Sequence, residues 1–459
     1  MHRPRILTLG LIVALIASAV FVFYSLRAPD AADLASAAEA ADALLPSSEF
    51  LNAAEAVSFY EAALRTDSDN VAYLTALAQA HLQLARTGDE TTHVPAAEAA
   101  LADALDRDPD NVHARLLQGV VLNKLHRFED ARDLATELLA QHPSLADAHA
   151  ILIDALVELG EYDDAVTASD AMQATRPGLP AYARVAYLRE LHGDSEGALA
   201  AMRLAVDAGA AGTDERAWAV TELAALYLGE ANTSAARYLY SGVLDERPAY
   251  APAVAGLGHV ALVEGDAEEA IDYLEQAYRL TPSDGFLELL ADAYEAAGDT
   301  DAADRTRERV LDGLADARAM GEIVDMEEAD YLLDLDRDVE RALRMAQAQV
   351  ERRPGHLHAN ETMAWALLKN GRAAEGIPYI EHALRLNTGD AMVHYRAARI
   401  YEAAGQPAEA QRHLQIALDG NLHIESGATA QEAQRLLAAL SDPSSTGLST
   451  PARAARLDG

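Results

Sequence analysis

The chain has 459 residues, no cysteine and a formal net charge of −38. Without thiols there can be no structural disulfide, thiolate zinc site, iron–sulfur cluster, cysteine nucleophile or lipid-modified N-terminal cysteine. The charge argues against nucleic acid as a partner, because binding a polyanion needs cations that displace its counterions, and Lys124 and Lys369 are the only lysines beside 34 arginines.

Half the residues are apolar, yet only 5% are aromatic. That composition favours many close helix contacts made by small side chains over one bulky core. The acidic residues are spread along the whole chain. They read either as a solvated surface suited to high salt or as a match for a basic partner.

Taken in chain order, residues 1–27 stand apart. His2, Arg3 and Arg5 precede an uncharged apolar run from Ile6 to Tyr24. Its 19 residues are close to the ~20 that a helix needs to cross a bilayer core. A basic start stays in the cytoplasm, which sends the rest of the chain to the other side. The expectation is a single transmembrane signal anchor over residues 6–24, a linker at 28–36 and an extracytoplasmic remainder, periplasmic or at the cell surface. The alternative is secretion after cleavage at the small-x-small site Ala35–Ser36–Ala37, which lies far beyond the apolar run. Removing the three arginines of residues 1–27 from −38 leaves −41 on the displayed part.

From residue 37 the chain repeats. Pro109, Pro143 and Pro177 are spaced by 34 residues, as are Pro248 and Pro282. Twelve residues before each turn the side chain is always small: Ala56, Ala97, Ala131, Ala165, Ala198, Ala236, Ala270, Ala303, Ala342, Gly376 and Ala410. A second small position recurs earlier, at Ala78, Gly119, Ala186, Ala224, Gly258, Ala291, Ala364 and Ala398. Two helices must cross closely at these points, where a larger side chain would push them apart. Between the two columns lie turns such as "ELGEYDDA" at 158–165 and "VEGDAEEA" at 263–270. Their glycine suits the left-handed residue that closes a helix, and the Asp or Thr after it suits an N-cap.

These columns, the period, the Leu/Tyr pairs Leu223–Tyr227 and Leu290–Tyr294 and the closing prolines resemble the tetratricopeptide repeat. The resemblance implies an all-α, right-handed superhelical solenoid of about eleven helix-turn-helix repeats. Repeats 1–8 span 37–311, an irregular break covers 312–330, and further repeats run over 331–423. Residues 424–440 read as a capping helix, and 441–459 have the composition of a disordered tail. "ARTGDETTHVP" at 85–95 is an insertion in the second repeat. The segments "ETMAWALLKNGR" and "YLRELHGDSEGALAAMRLAVDAG" look like parts of exported bacterial repeat proteins of uncharacterised function.

The candidate chemistry is thin. Asp106, Asp108 and Asp110 begin like a calcium loop, but Asn111 and Leu117 stand where such a loop wants Gly and Glu. Asp334, Asp336 and Asp338 fail in the same way. Both runs read as turns and caps. His356 and His358 read as solvated loop histidines without a third ligand. No zinc-protease, phosphate-loop, nucleophile-elbow or dinucleotide motif occurs, so no enzyme, cofactor or metal is expected.

The resemblance also implies a concave groove lined by first helices, which would dock a segment of a protein partner. In register, its lining includes His113, Asn123, Lys124, Trp218, His259, His358, Trp365, Lys369, Tyr395 and Arg399. The functional expectation is a non-catalytic scaffold or assembly factor of the bacterial envelope. The alternative is a secreted or periplasmic peptide-binding chaperone, or a regulatory subunit of an envelope enzyme.

Overall fold

The computed structural model describes residues 53–86 and 90–441, and every element among them is a helix. The apolar segment 6–24, the linker, the proposed cleavage site and the tail from 442 lie outside the described residues. No helix among the described residues is long and apolar enough to cross a membrane.

After α1 (Ala53–Leu64), ten helix pairs follow. They are α2 (Val71–Ala85) with α3 (Glu90–Arg107), α4 (Val112–Lys124) with α5 (Phe128–Gln141), and α6 (Ala146–Leu159) with α7 (Tyr162–Thr175). Next come α8 (Leu179–Leu191) with α9 (Ser195–Ala208), α10 (Asp214–Gly229) with α11 (Thr233–Glu246), and α12 (Ala251–Glu264) with α13 (Ala267–Leu280). Then follow α14 (Asp284–Ala296) with α15 (Thr300–Ala319), α16 (Asp325–Asp334) with α17 (Val339–Arg352), α18 (Leu357–Lys369) with α19 (Ala373–Ala383), and α20 (Ala391–Ala403) with α21 (Pro407–Asp419). The short α22 (Leu422–Glu425) and then α23 (Gly427–Ser441) close the array.

The expected small columns are the crossing points. From Ala97 to Ala410 every alanine of the first column is fully buried, and Ala56 nearly so. Gly376 shows why size matters: a Cβ there would sit 3.0 Å from the carbonyl oxygen of Ala364, the small residue of the facing helix. A Cβ on Gly258 would fall 2.7 Å from Cγ of Leu274.

The turns inside the pairs follow one rule. In every pair after α2–α3, the backbone is left-handed seven residues after the first-helix crossing position, which is small except at Ile153. Glycine serves at Gly160, Gly193, Gly265, Gly298, Gly371 and Gly405, while His126, Ala231 and Asp336 fill the same place without its freedom. Ala231 is exposed, with φ of 55°. Ala231→Gly should therefore stabilise its repeat by about 1 kcal/mol, because a Cβ in this conformation costs roughly that much. Urea titration of the two proteins checks it.

The same rule places the weak ninth repeat. Asp336 points back to Ala329, which is fully buried, so the α16–α17 turn holds one extra residue and Asp338 also takes positive φ. The first Asp run is punctuation: Asn111 accepts a hydrogen bond from the Ala114 amide at 3.0 Å and caps α4. The second is not wholly so, because Asp334 is buried and bonded to Trp365 and Arg396. Asn70, Asp194, Asn232, Asp266, Asp299 and Asp390 cap their helices in the same way.

First helices of successive pairs also touch one another, whereas second helices scarcely meet, which puts the first helices on the inside of the curve. The curvature brings distant repeats together. The turns inside early pairs meet the turns between late pairs at separations of 192 to 197 residues, between five and six repeats on. Successive coils of the superhelix therefore rest on each other along a seam. The segment expected to be an irregular break is where the seam begins: the Ile323 amide donates to the carbonyl of Leu125, and His126 sits between Glu322 and Glu327 at 3.5 and 3.7 Å.

Candidate binding surface on the inner helices

None of the ten residues expected to line a groove is exposed. Asn123, Trp218, His259, Trp365 and Tyr395 are buried, and His113, Lys124, His358, Lys369 and Arg399 are half-buried. Asn123 donates to the carbonyl of Ile151 on the next first helix, at 3.1 Å. His259 Nε2 donates to the Ile424 carbonyl of α22 at 3.1 Å. Arg399 donates to the Tyr395 hydroxyl at 2.8 Å and pairs with Glu432 of α23.

Trp365 is the centre of a charge network. Its indole donates to Asp334 at 3.1 Å. Lys369 and Arg396 lie over its ring, at 4.9 and 5.4 Å from the centroid. Lys369 also reaches Asp336 at 2.6 Å. Arg396 binds Asp330 with both terminal nitrogens, at 2.8 and 3.0 Å, and reaches Asp334 at 3.2 Å and Glu361 at 3.1 Å. It joins the first helices α16, α18 and α20. One turn earlier, Arg184 of α8 makes a bidentate bond to Asp154 of α6, at 2.8 and 2.6 Å, with both side chains almost wholly buried. Sequence register found the tryptophans but missed Arg184 and Arg396, which sit two positions before the small columns at Ala186 and Ala398. An arginine two positions before a small column was the available signal.

His356 and His358 are not solvated. His356 is 3% exposed; its Nδ1 accepts from the Ala359 amide at 3.2 Å and caps α18, while its Nε2 lies 3.6 Å from Glu158 across the seam. Burial, and then the nearby Arg353, hold it well below the usual histidine range. His358 lies 3.0 Å from Glu361; burial opposes its charge, but the carboxylate wins and raises it. The reason for the correction is tertiary. The turn that reads as surface in "RPGHLHANE" is covered by the coil beneath it.

The inner face also carries carboxylates held out of water. Burial, then Asp390 and Glu230, push Glu190 up to about 7. Burial and Glu190 push Glu222 up to about 8. Glu288 is raised well above the usual range by burial, then by Asp284, Asp292, Asp330 and Asp334. His413 runs the other way: burial, then Arg412 and His394, lower it to about 4. Where a folded acid is weaker than the unfolded one, the native state holds the extra proton. Stability then falls as pH rises from the unfolded value near 4.5 through 7 to 8. Where a folded histidine is the stronger acid, stability is lost as pH falls from about 6.5 towards 4. The melting temperature should therefore peak at about pH 5–6 and decline on both sides. Glu222→Gln should flatten the alkaline limb. Thermal unfolding across pH measures both.

Ten stacked helix pairs with inner first helices define a helical-repeat solenoid. Two family models described as tetratricopeptide repeat match it, one at residues 84–145, 221–285 and 256–304, the other at 122–189. The chain is a tetratricopeptide-repeat protein. It is similar to the cellulose synthase operon protein C of Pseudomonas fluorescens, with 32% identity over 132 residues. That match spans 27% of this chain and 10% of the relative. Among solved structures it is similar to the Cut9–Hcn1 hetero-tetramer of APC/C, at 17% identity and a TM-score of 0.39, over 85% of this chain and 93% of that one. It is also similar to PilW, a type IV pilus biogenesis factor, at 13% identity and 0.37, over 45% and 96%. A third is a tetratricopeptide repeat protein from Parabacteroides merdae, at 14% identity and 0.35, over 57% and 99%. Scores of this size transfer nothing from those structures.

Proposed function

We propose that this chain is a non-catalytic interaction scaffold of the bacterial cell envelope. Residues 6–24 anchor it in the membrane, and the repeats stand outside the cytoplasm and receive a protein segment on the inner helices. The observation that carries this reading is the layer of first helices on the inside of the curve, which carries polar and aromatic side chains from pair after pair. The repeat family supports protein binding in general. The relative shares a stretch of repeats amounting to a tenth of its length, so cellulose synthesis is not carried over.

The half-buried inner residues Lys124 and Arg399 are the contact points offered to a partner. The test is site-specific photo-crosslinking in cells. A photoreactive residue replaces Lys124 or Arg399 on the inside, or Tyr238, which is 78% exposed on a second helix. Adducts from the inner positions, recovered in the membrane fraction, support the reading. Adducts from Tyr238 alone would move binding to the outer face. Recovery in the soluble fraction would remove the anchor.

A further inference from the structure

The seam between coils has a built centre. The Tyr162 hydroxyl accepts a hydrogen bond from the Leu357 amide at 2.9 Å, across 195 residues of sequence. Leu357 is the first residue of α18, so its amide has no acceptor inside its own helix. Arg385 lies over the Tyr162 ring at 5.3 Å and donates to the Gly160 carbonyl at 3.3 Å. Arg353 reaches Glu158 at 3.4 Å and lies over Phe128 at 5.5 Å.

Between them two glycines bring the backbones together. A Cβ on Gly355 would fall 2.6 Å from the Gly160 carbonyl oxygen. Gly265, Gly298, Gly371 and Gly405, which occupy the same turn position in later repeats, have open space around them. Close approach is therefore specific to the seam. It is also a contact within a chain that carries 74 acidic residues against 36 basic ones, so its own charge pushes the coils apart.

We propose that this contact is a latch. Closed, it joins the two coils into a continuous wall and hides the inner helices from any partner that must enter sideways. Open, it exposes them without unfolding a repeat, because each helix pair keeps its neighbours in the stack. Arginines on the upper lip against acids and rings on the lower lip hold it shut. This rests on the scaffold reading above.

The absence of cysteine makes the test clean. Glu129 and Arg352 face each other across the seam at 3.7 Å, each about two-fifths exposed. Full-length protein carrying Glu129→Cys and Arg352→Cys is spin-labelled at both sites, and the distance between the labels is measured. A dominant short distance is expected. Adding Gly355→Ala, which wedges the seam, or Tyr162→Phe, which removes the acceptor, should shift the distribution to longer distances with helical circular dichroism unchanged. A short distance retained in both variants would overturn the latch. So would a shift that appears only together with loss of helix. The same cysteine pair, oxidised to a disulfide, locks the seam in the photo-crosslinking experiment. Inner-face adducts should fall about tenfold, as the binding-competent state is removed, and return on reduction. Equal adducts in the locked and reduced forms would overturn gating while sparing the scaffold reading. If neither form gives inner adducts, the scaffold reading fails, and the label distances still decide whether the latch exists.

Discussion

Arg396→Ala should destabilise the C-terminal coil by about 3–5 kcal/mol, the usual consequence of removing one partner from a buried ion network. Arg396 is 2% exposed and holds Asp330, Asp334 and Glu361 together beneath Trp365. Removing it takes the one guanidinium that bridges all three carboxylates out of a largely buried cluster. Burial already raises Asp334 above the usual carboxylate range despite Arg396. Asp334 stands at about 8, so the variant's loss should shrink as pH falls below that value and Asp334 takes up its proton. Arg396→Lys keeps the charge but not the two-pronged geometry and should recover part of the loss. Urea titration followed by tryptophan fluorescence measures all three proteins. A change of less than about 1 kcal/mol at neutral pH would mean that the network is solvated, with the strength of a surface pair.

Ala270→Leu should cost roughly 1–3 kcal/mol or more, because three added heavy atoms must enter a crossing that has no room. Ala270 is fully buried in α13, next to α12, where even a Cβ on Gly258 would collide with Leu274. The same change at Glu268, exposed on the same helix, should stay within about 0.5 kcal/mol. In a stacked array each repeat is stabilised by its neighbours, so the loss should spread to the adjoining pairs and broaden the transition. Indistinguishable denaturation curves for the two variants would contradict the register on which the fold rests.

Much of this fold is written locally. The two small columns mark helix crossings because only close approach demands them, and all of the first column is buried. The left-handed turn is legible wherever it falls on glycine. It is hidden at His126, Ala231 and Asp336, where tertiary packing imposes a conformation that the residue does not prefer. The ninth repeat was obscured for a related reason: its turn carries one more residue, so the twelve-residue spacing fails between Ala329 and Ala342.

The seam was not legible at all. It depends on a small rotation added at every repeat until residues some 195 apart meet, and no local pattern encodes that sum. His356 and His358 show the effect. Their neighbours in sequence form an ordinary inter-repeat turn, while their neighbours in space include Glu158. The concave residues fared in between. Register placed Trp365, Tyr395 and His259 on first helices, as found. It could not show that intramolecular bonds already engage all three.

The most direct test of the closed superhelix is hydrogen exchange, read by mass spectrometry, at the start of α18 in the intact protein. The Leu357 amide has the Tyr162 hydroxyl as its acceptor and none within its own helix. The expected result is protection at Leu357 approaching that of mid-helix amides, lost on Tyr162→Phe while the rest of α18 keeps its protection. Exchange at the rate of an exposed helix end in the unmodified protein would mean that the coils do not touch in solution, and both the seam and the latch would fall with it.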